Sequence, residues 1–411
     1  MSVSWNVSAI PAEEMAPLRE LYRATLFDEF VPWWESHSID WEYGGFYSCL
    51  ERDGKPYAGD KFVWMLGRQT WMFSLFYNVC EERAAWLEVA DHGARFLLDH
   101  AFSESGRMYF RLTRDGRPLA RHLSPESECF TIMALAELGR ARGDSALWQR
   151  AVEMYRRARP LLGQPTDTPL LGYPLHVQFH LYAHDMLRLT VAWVLNRLEP
   201  APEWEDDLAE SARSVIERHW KPEHAALLEN VAPDGTPMLD VLEGRLLNPG
   251  HALETAWMLM EVAEQRKDAQ LLETAVKIVL CSMERAWDDA YGGLRYLANL
   301  DGTPMRPFAA DMKLWWPHAE ALYALLLGWA LTGRDDIRGW YRKVHDYVFT
   351  HFPDPQYGEW YGYLNRDGSP TFTAKADGFK GFFHLPRVFL RCHQLLGGAQ
   401  PADARVPRRE A

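Results

Sequence analysis

One hairpin phrase recurs five times along this chain. YGGFYSCLERDGKPYA (43–58), GRMYFRLTRDGRPLA (106–120), LLENVAPDGTPM (227–238), YGGLRYLANLDGTPM (291–305) and YGEWYGYLNRDGSPT (357–371) each run into Asp-Gly and then a proline. Asp-Gly favours tight hairpins because glycine tolerates positive φ. The turn residues Asp53, Asp115, Asp234, Asp301 and Asp367 are separated by 62, 119, 67 and 66 positions. The gap of 119 reads as two periods with one hairpin missing, near PLLGQPTDTPLLGYP (160–174). A fixed period of this length holds a hairpin and two helices, which points to a repeat architecture.

The intervening segments are of two kinds. One kind is apolar around most of its circumference, as a helix buried on several sides must be: VWMLGRQTWMFSLFYNV (63–79), ECFTIMALAELGRARG (128–143), HVQFHLYAHDMLRLTVAWVLN (176–196), HALETAWMLMEVAEQ (251–265), KLWWPHAEALYALLLGWALTG (313–333) and KGFFHLPRVFLRCHQLLGG (380–398). The other kind carries one charged face, as in LWQRAVEMYRRAR (147–159) and LAESARSVIERHW (208–220), with a first such helix near 12–37. The expected fold is all-α: an (α/α)6 barrel, or toroid, with short β-hairpins at one end. An open superhelix is the alternative, but six repeats suffice to close a ring and no capping repeat is evident. Residues 1–399 read as a single catalytic domain and 400–411 as a disordered tail.

Composition narrows the function. The chain is 47% apolar and 25% charged, with a net charge of −13 and no long like-charge run, so neither nucleic acid nor an anionic membrane is an expected partner. No apolar run approaches the ~18 residues of a membrane span. The opening MSVSWNVSAIPAEEM lacks the charge-then-apolar order of a signal peptide, and the five scattered cysteines read as reduced thiols, so a cytoplasmic location is expected. The 18 Trp and 17 Tyr suit both a barrel core and a sugar-gripping pocket.

Each hairpin delivers the chain to an inner helix, so six helix N-termini gather at one mouth and favour negative charge there. Polar residues near those starts are the candidates. Arg68 stands in otherwise apolar WMLGRQTW and needs a partner or ligand. His251 and Glu254 lie one turn apart in NPGHALETAW, which can set the carboxylate beside the imidazole. Glu320 follows Trp315 and Trp316, and His384 is followed one turn later by Arg387. A lone helical histidine is ordinarily a satisfied core or surface residue. Four repeats placing an ionisable group at the same end of an inner helix is a different matter.

In order along the chain, DKFVWMLGRQTWMFSLFYN, SPESECF, LENV, NPGHALETAWML, MKLWWPHAEAL, DPQYGEWYGYLNRDG and FKGFFHLPRVF resemble the N-acylglucosamine 2-epimerase family, which includes the animal renin-binding proteins. The resemblance spans roughly residues 25–395. It implies an (α/α)6 barrel and 2-epimerisation of N-acylglucosamine to N-acylmannosamine, or the related aldose–ketose isomerisation. It places the acid/base histidines at His251 and His384 and sets Arg68 on the carbonyl end of the sugar. Trp64 and Trp316 would line the pocket, Glu254 and Glu320 would orient histidines or hydroxyls, and Arg387 would assist near His384. Inverting a carbon beside a carbonyl requires a base on one face and an acid on the other, and imidazole titrates near neutrality, at about 6.5. A cation and helix N-termini would stabilise the enediolate, so no metal or nicotinamide is required.

One segment departs from the family pattern. After the proline of GYPLHVQFHLY the acylglucosamine branch is expected to carry apolar residues and Asn; free-sugar relatives carry His, usually with Glu three residues on. This chain has His176, a candidate sugar contact, and then Phe179, which leaves N-acylated and unmodified hexoses both open. His176, His180 and His184 also recur at a spacing that can hold a metal on a helix. With no companion acid or cysteine placed by sequence they read instead as one face of a buried helix, His176 nearest the mouth, and no metal is expected. Two rival classes are a glycoside hydrolase using Glu128, Glu254, Glu320 or Glu359, and a non-catalytic binding protein, against which the complete His251/His384/Arg68 set argues. The resemblance further implies ATP as a candidate allosteric effector and a homodimer. No GxxxxGK[ST] loop occurs, and AWDDAYGG (286–293) reads as the start of a hairpin whose glycines could also admit phosphate.

Overall fold

Two kinds of helix build two concentric rings. A computed structural model describes residues 9–121, 124–168, 175–304 and 309–397. The outer elements are α1 (Ala12–Ala24), continued by a π-helical turn (Thr25–Phe30) into α2 (Val31–His37), then α4 (Ala84–His100), α6 (Ser145–Ala158), α8 (Pro202–Ser214), α10 (Ala269–Ala286) and α12 (Asp335–His351). The inner ones are α3 (Val63–Val79), α5 (Glu126–Arg142), α7 (Tyr182–Leu198), α9 (Pro249–Arg266), α11 (Trp315–Thr332) and α13 (His384–Leu395). Burial follows the pattern that separated them. Every residue of α11 from Trp315 to Ala330 is buried, whereas α10 buries Leu271, Ala275, Val276, Ile278, Val279, Met283 and Ala286, a stripe at helical spacing.

Successive inner helices pack side by side from α3 to α13. Aromatic rings join the ends: Phe382 lies 5.1 Å from Phe73 and 5.8 Å from Phe76, and Phe383 lies 5.6 Å from Trp71. The ring is therefore closed. Two inner helices start later than their apolar patterns. His180–Leu181 pairs as a strand with Asn230–Val231, so α7 begins only at Tyr182; α13 begins at His384 rather than near Lys380.

All five Asp-Gly turns connect an outer to an inner helix, and each turn glycine has φ between 73° and 92°. Adding a Cβ there would be strained. The short strand ahead of one inner helix pairs with the next repeat's hairpin: Lys61–Phe62 with Arg111 and Leu112, Leu246–Leu247 with Ala298–Asn299, and Lys313–Leu314 with Tyr363–Leu364. A bridge from Leu50 to Ala376 closes this rim between first and last repeats. The sixth connection, between α6 and α7, holds a bridge from Thr166 to Phe179; residues 169–174 within it lie outside the described residues, as does the 400–411 tail.

Buried ion clusters reinforce the rim. Asp40, Asp288 and Asp354 pair with Lys61 (2.9 Å), Lys313 (3.1 Å) and Lys375 (2.9 Å), every one of these side chains fully buried. Each aspartate also receives an arginine from a neighbouring hairpin: Arg114 (2.9 Å), Arg366 (2.7 Å) and Arg52 (2.8 Å) respectively. The Arg52–Asp354 pair spans the ring closure. In AWDDAYGG, Gly292 N–H donates to the Asp288 carbonyl and Asp288 N–H to that of Gly293, so these glycines form the turn that presents Asp288. Among the described residues no helix is long and apolar enough to cross a membrane.

Candidate active site

The mouth of the barrel collects the first two turns of the inner helices. Arg68 lies on α3, His251 and Glu254 on α9, Trp316 and Glu320 on α11, and His384 and Arg387 on α13. The N-termini of α3, α11 and α13 carry no side-chain cap; at α11 the Trp315 N–H instead donates to the Gly362 carbonyl (3.0 Å). Asn248 caps α9 by accepting from His251 N–H (3.3 Å).

The two histidines stand on either side of Trp316, each ring centroid 5.3 Å from its indole. The indole lies against the start of α9 at Gly250, where an added Cβ would come within 2.5 Å of it. Each imidazole is anchored through Nδ1 to a carboxylate. His251 Nδ1 lies 3.1 Å from both oxygens of Glu229, and His384 Nδ1 lies 2.7 Å from Glu320 Oε1. With Nδ1–H donating, Nε2 is the nitrogen left to act on a substrate, and neither Nε2 has a hydrogen-bond partner among the described residues.

The two carboxylate partners differ electrostatically. Glu320 is shared: Arg387 Nη2 donates to Oε1 (2.6 Å) and Trp257 Nε1 to Oε2 (2.7 Å). Arg387 also binds Glu254 (2.5 Å), while no arginine or lysine pairs with Glu229 among the described residues. Burial pulls the His251 imidazole down, but the Glu229 charge and hydrogen bond outweigh it, with Glu254 adding, and hold its pKa above the ordinary histidine value. Burial drives His384 well below that value; Arg68, Arg387 and His251 push the same way against Glu254. Of the pair, His251 thus holds its proton the more tightly, and His384 is the neutral imidazole at neutral pH.

Arg68 is boxed by aromatic faces, its guanidinium carbon 4.1 Å from the Phe130 ring, 4.4 Å from Trp64 and 4.7 Å from Phe383. Burial lowers its pKa to about 9, so it remains charged at neutral pH. No carboxylate hydrogen-bonds it among the described residues, and Nε has no partner. A buried cation in this condition is prepared for an anionic or strongly polar ligand. Trp64 is half-buried beside it, its Nε1–H donating to the Gly378 carbonyl (3.0 Å).

Seven of the residues singled out from sequence therefore share one mouth with Trp64. Three expectations change. Glu254, expected beside His251, turns instead to Arg387; the imidazole's partner is Glu229, delivered by the 227–231 hairpin rather than by a helix start. LENV was the only trace of Glu229 in the sequence. His176 is not on a helix at all but exposed in the connection ahead of α7, and no hydrogen bond or ring contact joins it to the other candidates among the described residues. The His176/His180/His184 spacing consequently spans a loop, a strand and a helix. The carboxylates considered for hydrolysis are held by cations: Glu254 and Glu320 by Arg387, Glu128 by Arg107 (2.6 Å), and Glu359 by Lys380.

The family model described as N-acylglucosamine 2-epimerase matches residues 45–387. The chain is 39% identical over 388 residues to the N-acylglucosamine 2-epimerase of Bos taurus, covering 90% of this chain and 89% of that one. It is 36% identical over 383 residues to the Homo sapiens protein of the same name, covering 90% and 88%. In fold it is similar to the cellobiose 2-epimerase of Bacillus thermoamylovorans B4167, with a TM-score of 0.78 at 20% identity over 92% of this chain and 99% of that one. A closed helical ring with two anchored histidines at its mouth, a matched family model and relatives aligned over nine-tenths of the chain lead to one conclusion: this protein belongs to the N-acylglucosamine 2-epimerase family.

Proposed function

We propose that the protein interconverts N-acyl-D-glucosamine and N-acyl-D-mannosamine by moving protons between two histidines. The observation that carries this reading is the pair of carboxylate-anchored imidazoles facing one space across Trp316. The sugar reacts in its open-chain form, its carbonyl oxygen on Arg68. Neutral His384 takes the C2 proton at Nε2, and the electron pair of that C–H bond moves into C1–C2, leaving negative charge on the C1 oxygen. Arg68 and the uncapped helix N-termini stabilise this enolate (an enediolate where C2 carries a hydroxyl). The His251 imidazolium then delivers a proton to the opposite face of C2. Both histidines afterwards exchange protons with solvent to restore the resting state. Proton transfer of this kind calls on no redox or nucleotide chemistry.

Proton NMR of the purified protein in D2O tests the reading, with N-acetylglucosamine, N-acetylmannosamine, glucose, mannose and fructose as separate substrates. One arm adds ATP, the effector implied by the family resemblance. The expected result is interconversion of the two N-acetyl sugars with deuterium at C2. Fructose formed from mannose, with the N-acetyl sugars inert, would replace the epimerase reading by an aldose–ketose isomerase that returns the proton to C1.

A further inference from the structure

We propose that Tyr296 is a further substrate-binding residue of the mouth, its phenolic hydroxyl donating a hydrogen bond to a hydroxyl on the distal half of the sugar, at C4 or C6. The proposal rests on the epimerase reading above and adds a contact at the end of the sugar away from Arg68. Tyr296 belongs to the 291–305 hairpin that leads into α11, and its backbone N–H donates to the Met312 carbonyl (3.1 Å). Two residues further on, Ala298–Asn299 pairs with Leu246–Leu247 ahead of α9. The side chain is thereby fixed between the starts of the two helices that carry His251 and Trp316. Its ring meets the Trp316 indole edge to face, with centroids 6.2 Å apart at 80°. His251 lies 5.3 Å from the same indole.

The hydroxyl supplies the independent indication. A largely buried tyrosine oxygen ordinarily has a partner. The barrel follows this rule: Tyr182 donates to the His251 carbonyl (3.2 Å), Tyr323 to Glu261 (2.7 Å) and Tyr155 to Asp207 (2.8 Å). Tyr296 is half-buried, yet its oxygen has no hydrogen-bond partner among the described residues. Tyr347 also lacks one, but its hydroxyl is sealed from solvent on outer helix α12, whereas that of Tyr296 stays open. Burial, reinforced by the Glu229 carboxylate, pushes the phenol up to about 12, so it remains a protonated donor wherever the histidines titrate.

Ring order decides which end of the sugar it meets. The six inner helices follow one another around the barrel, so α3, which carries Arg68, stands opposite α9. Tyr296 is on the α9 and α11 side. With the carbonyl oxygen on Arg68 and C2 between the two histidines, the remaining carbons run across Trp316 toward Tyr296. Charge does not change at that end of the molecule during proton transfer. The bond therefore holds substrate and transition state equally, and its loss falls on KM rather than on kcat.

Tyr296→Phe deletes one oxygen and keeps the ring on Trp316. Its KM for N-acetylglucosamine should rise roughly three- to tenfold, with kcat unchanged and both limbs of the pH profile in place. Either 4-deoxy- or 6-deoxy-N-acetylglucosamine should show a KM raised by at least the same factor on the native protein. With that analogue Tyr296→Phe and the native protein should be indistinguishable. The analogues read the contact in the native protein even where the substitution disturbs folding. An unchanged KM would overturn the proposal and leave the hydroxyl facing water alone. A penalty that survives with both analogues, a fall in kcat or a displaced pH limb would overturn it as well. Should the native protein turn over mannose and not the N-acetyl sugars, the same comparison with 4-deoxy- and 6-deoxymannose tests Tyr296 separately from the N-acyl reading.

Discussion

Glu229 and Glu320 each hold one histidine, but burial and the nearby cations Arg68 and Arg387 push His384 down while the unshared charge of Glu229 holds His251 up. On the proposed mechanism that difference poises His384 as base and His251 as acid. The claim has a definite sign. In Glu229→Gln the hydrogen bond to Nδ1 persists but the charge is gone, so burial is less opposed and the His251 pKa falls. The basic limb of kcat/KM, where the acid loses its proton, should move to lower pH. Above that limb kcat/KM should fall about tenfold for each pKa unit lost. A pH–rate profile of the two proteins checks this, with the limbs belonging to the coupled pair rather than to single residues. An unmoved basic limb would detach Glu229 from the chemistry. His251, His384, Arg68 and Glu320 were legible in the sequence because each is an ionisable residue in the opening turns of an apolar helix. Glu229 was not, since it comes from a hairpin and meets His251 only through tertiary packing. Glu254 was legible as a site residue but not as the partner of Arg387, which is 133 positions away.

At the scale of elements, the recurrent hairpin links outer to inner helix, and in three of its five copies the arginine ahead of Asp-Gly (Arg52, Arg114 and Arg366) reaches a buried aspartate of the adjacent repeat. Period and turn chemistry made the hairpins and α3 readable, the latter to both of its ends. The late starts of α7 and α13 were not readable, because strand pairing ahead of α7 and the turn ahead of α13 override an apolar pattern that continues through them. The ion clusters were equally hidden: Asp40, Lys61 and Arg114 are unremarkable singly and meet only when two repeats dock. Asp354→Asn would leave the fully buried Lys375 without its carboxylate and loosen Arg52. Loss of one member of a buried pair destabilises by about 3–5 kcal/mol, whereas Asp53→Asn, whose partner Lys55 is exposed, should leave stability nearly unchanged. Denaturant unfolding of both variants measures the contrast, and equal effects would mean that the cluster does not hold the rim.

For the whole molecule, closure is what assembles the site. α3 and α13 are the first and last inner helices, and only in a ring does Arg68 come to rest against Phe383, next to His384. His251 and Glu229 arrive from the fourth repeat and Glu320 from the fifth, so the mouth joins groups that lie more than 300 positions apart in sequence. The fold brings two imidazoles to one space, and the central claim is that they serve opposite faces of one carbon. The most direct measurement follows deuterium uptake at C2 of N-acetylglucosamine and of N-acetylmannosamine, separately, in the native protein, His251→Ala and His384→Ala. The native protein should label and interconvert both sugars. Each variant should lose interconversion by at least about a hundredfold while still exchanging C2 of one epimer, and the surviving epimer should differ between the two variants. Exchange of both epimers by either variant alone would contradict the two-histidine account.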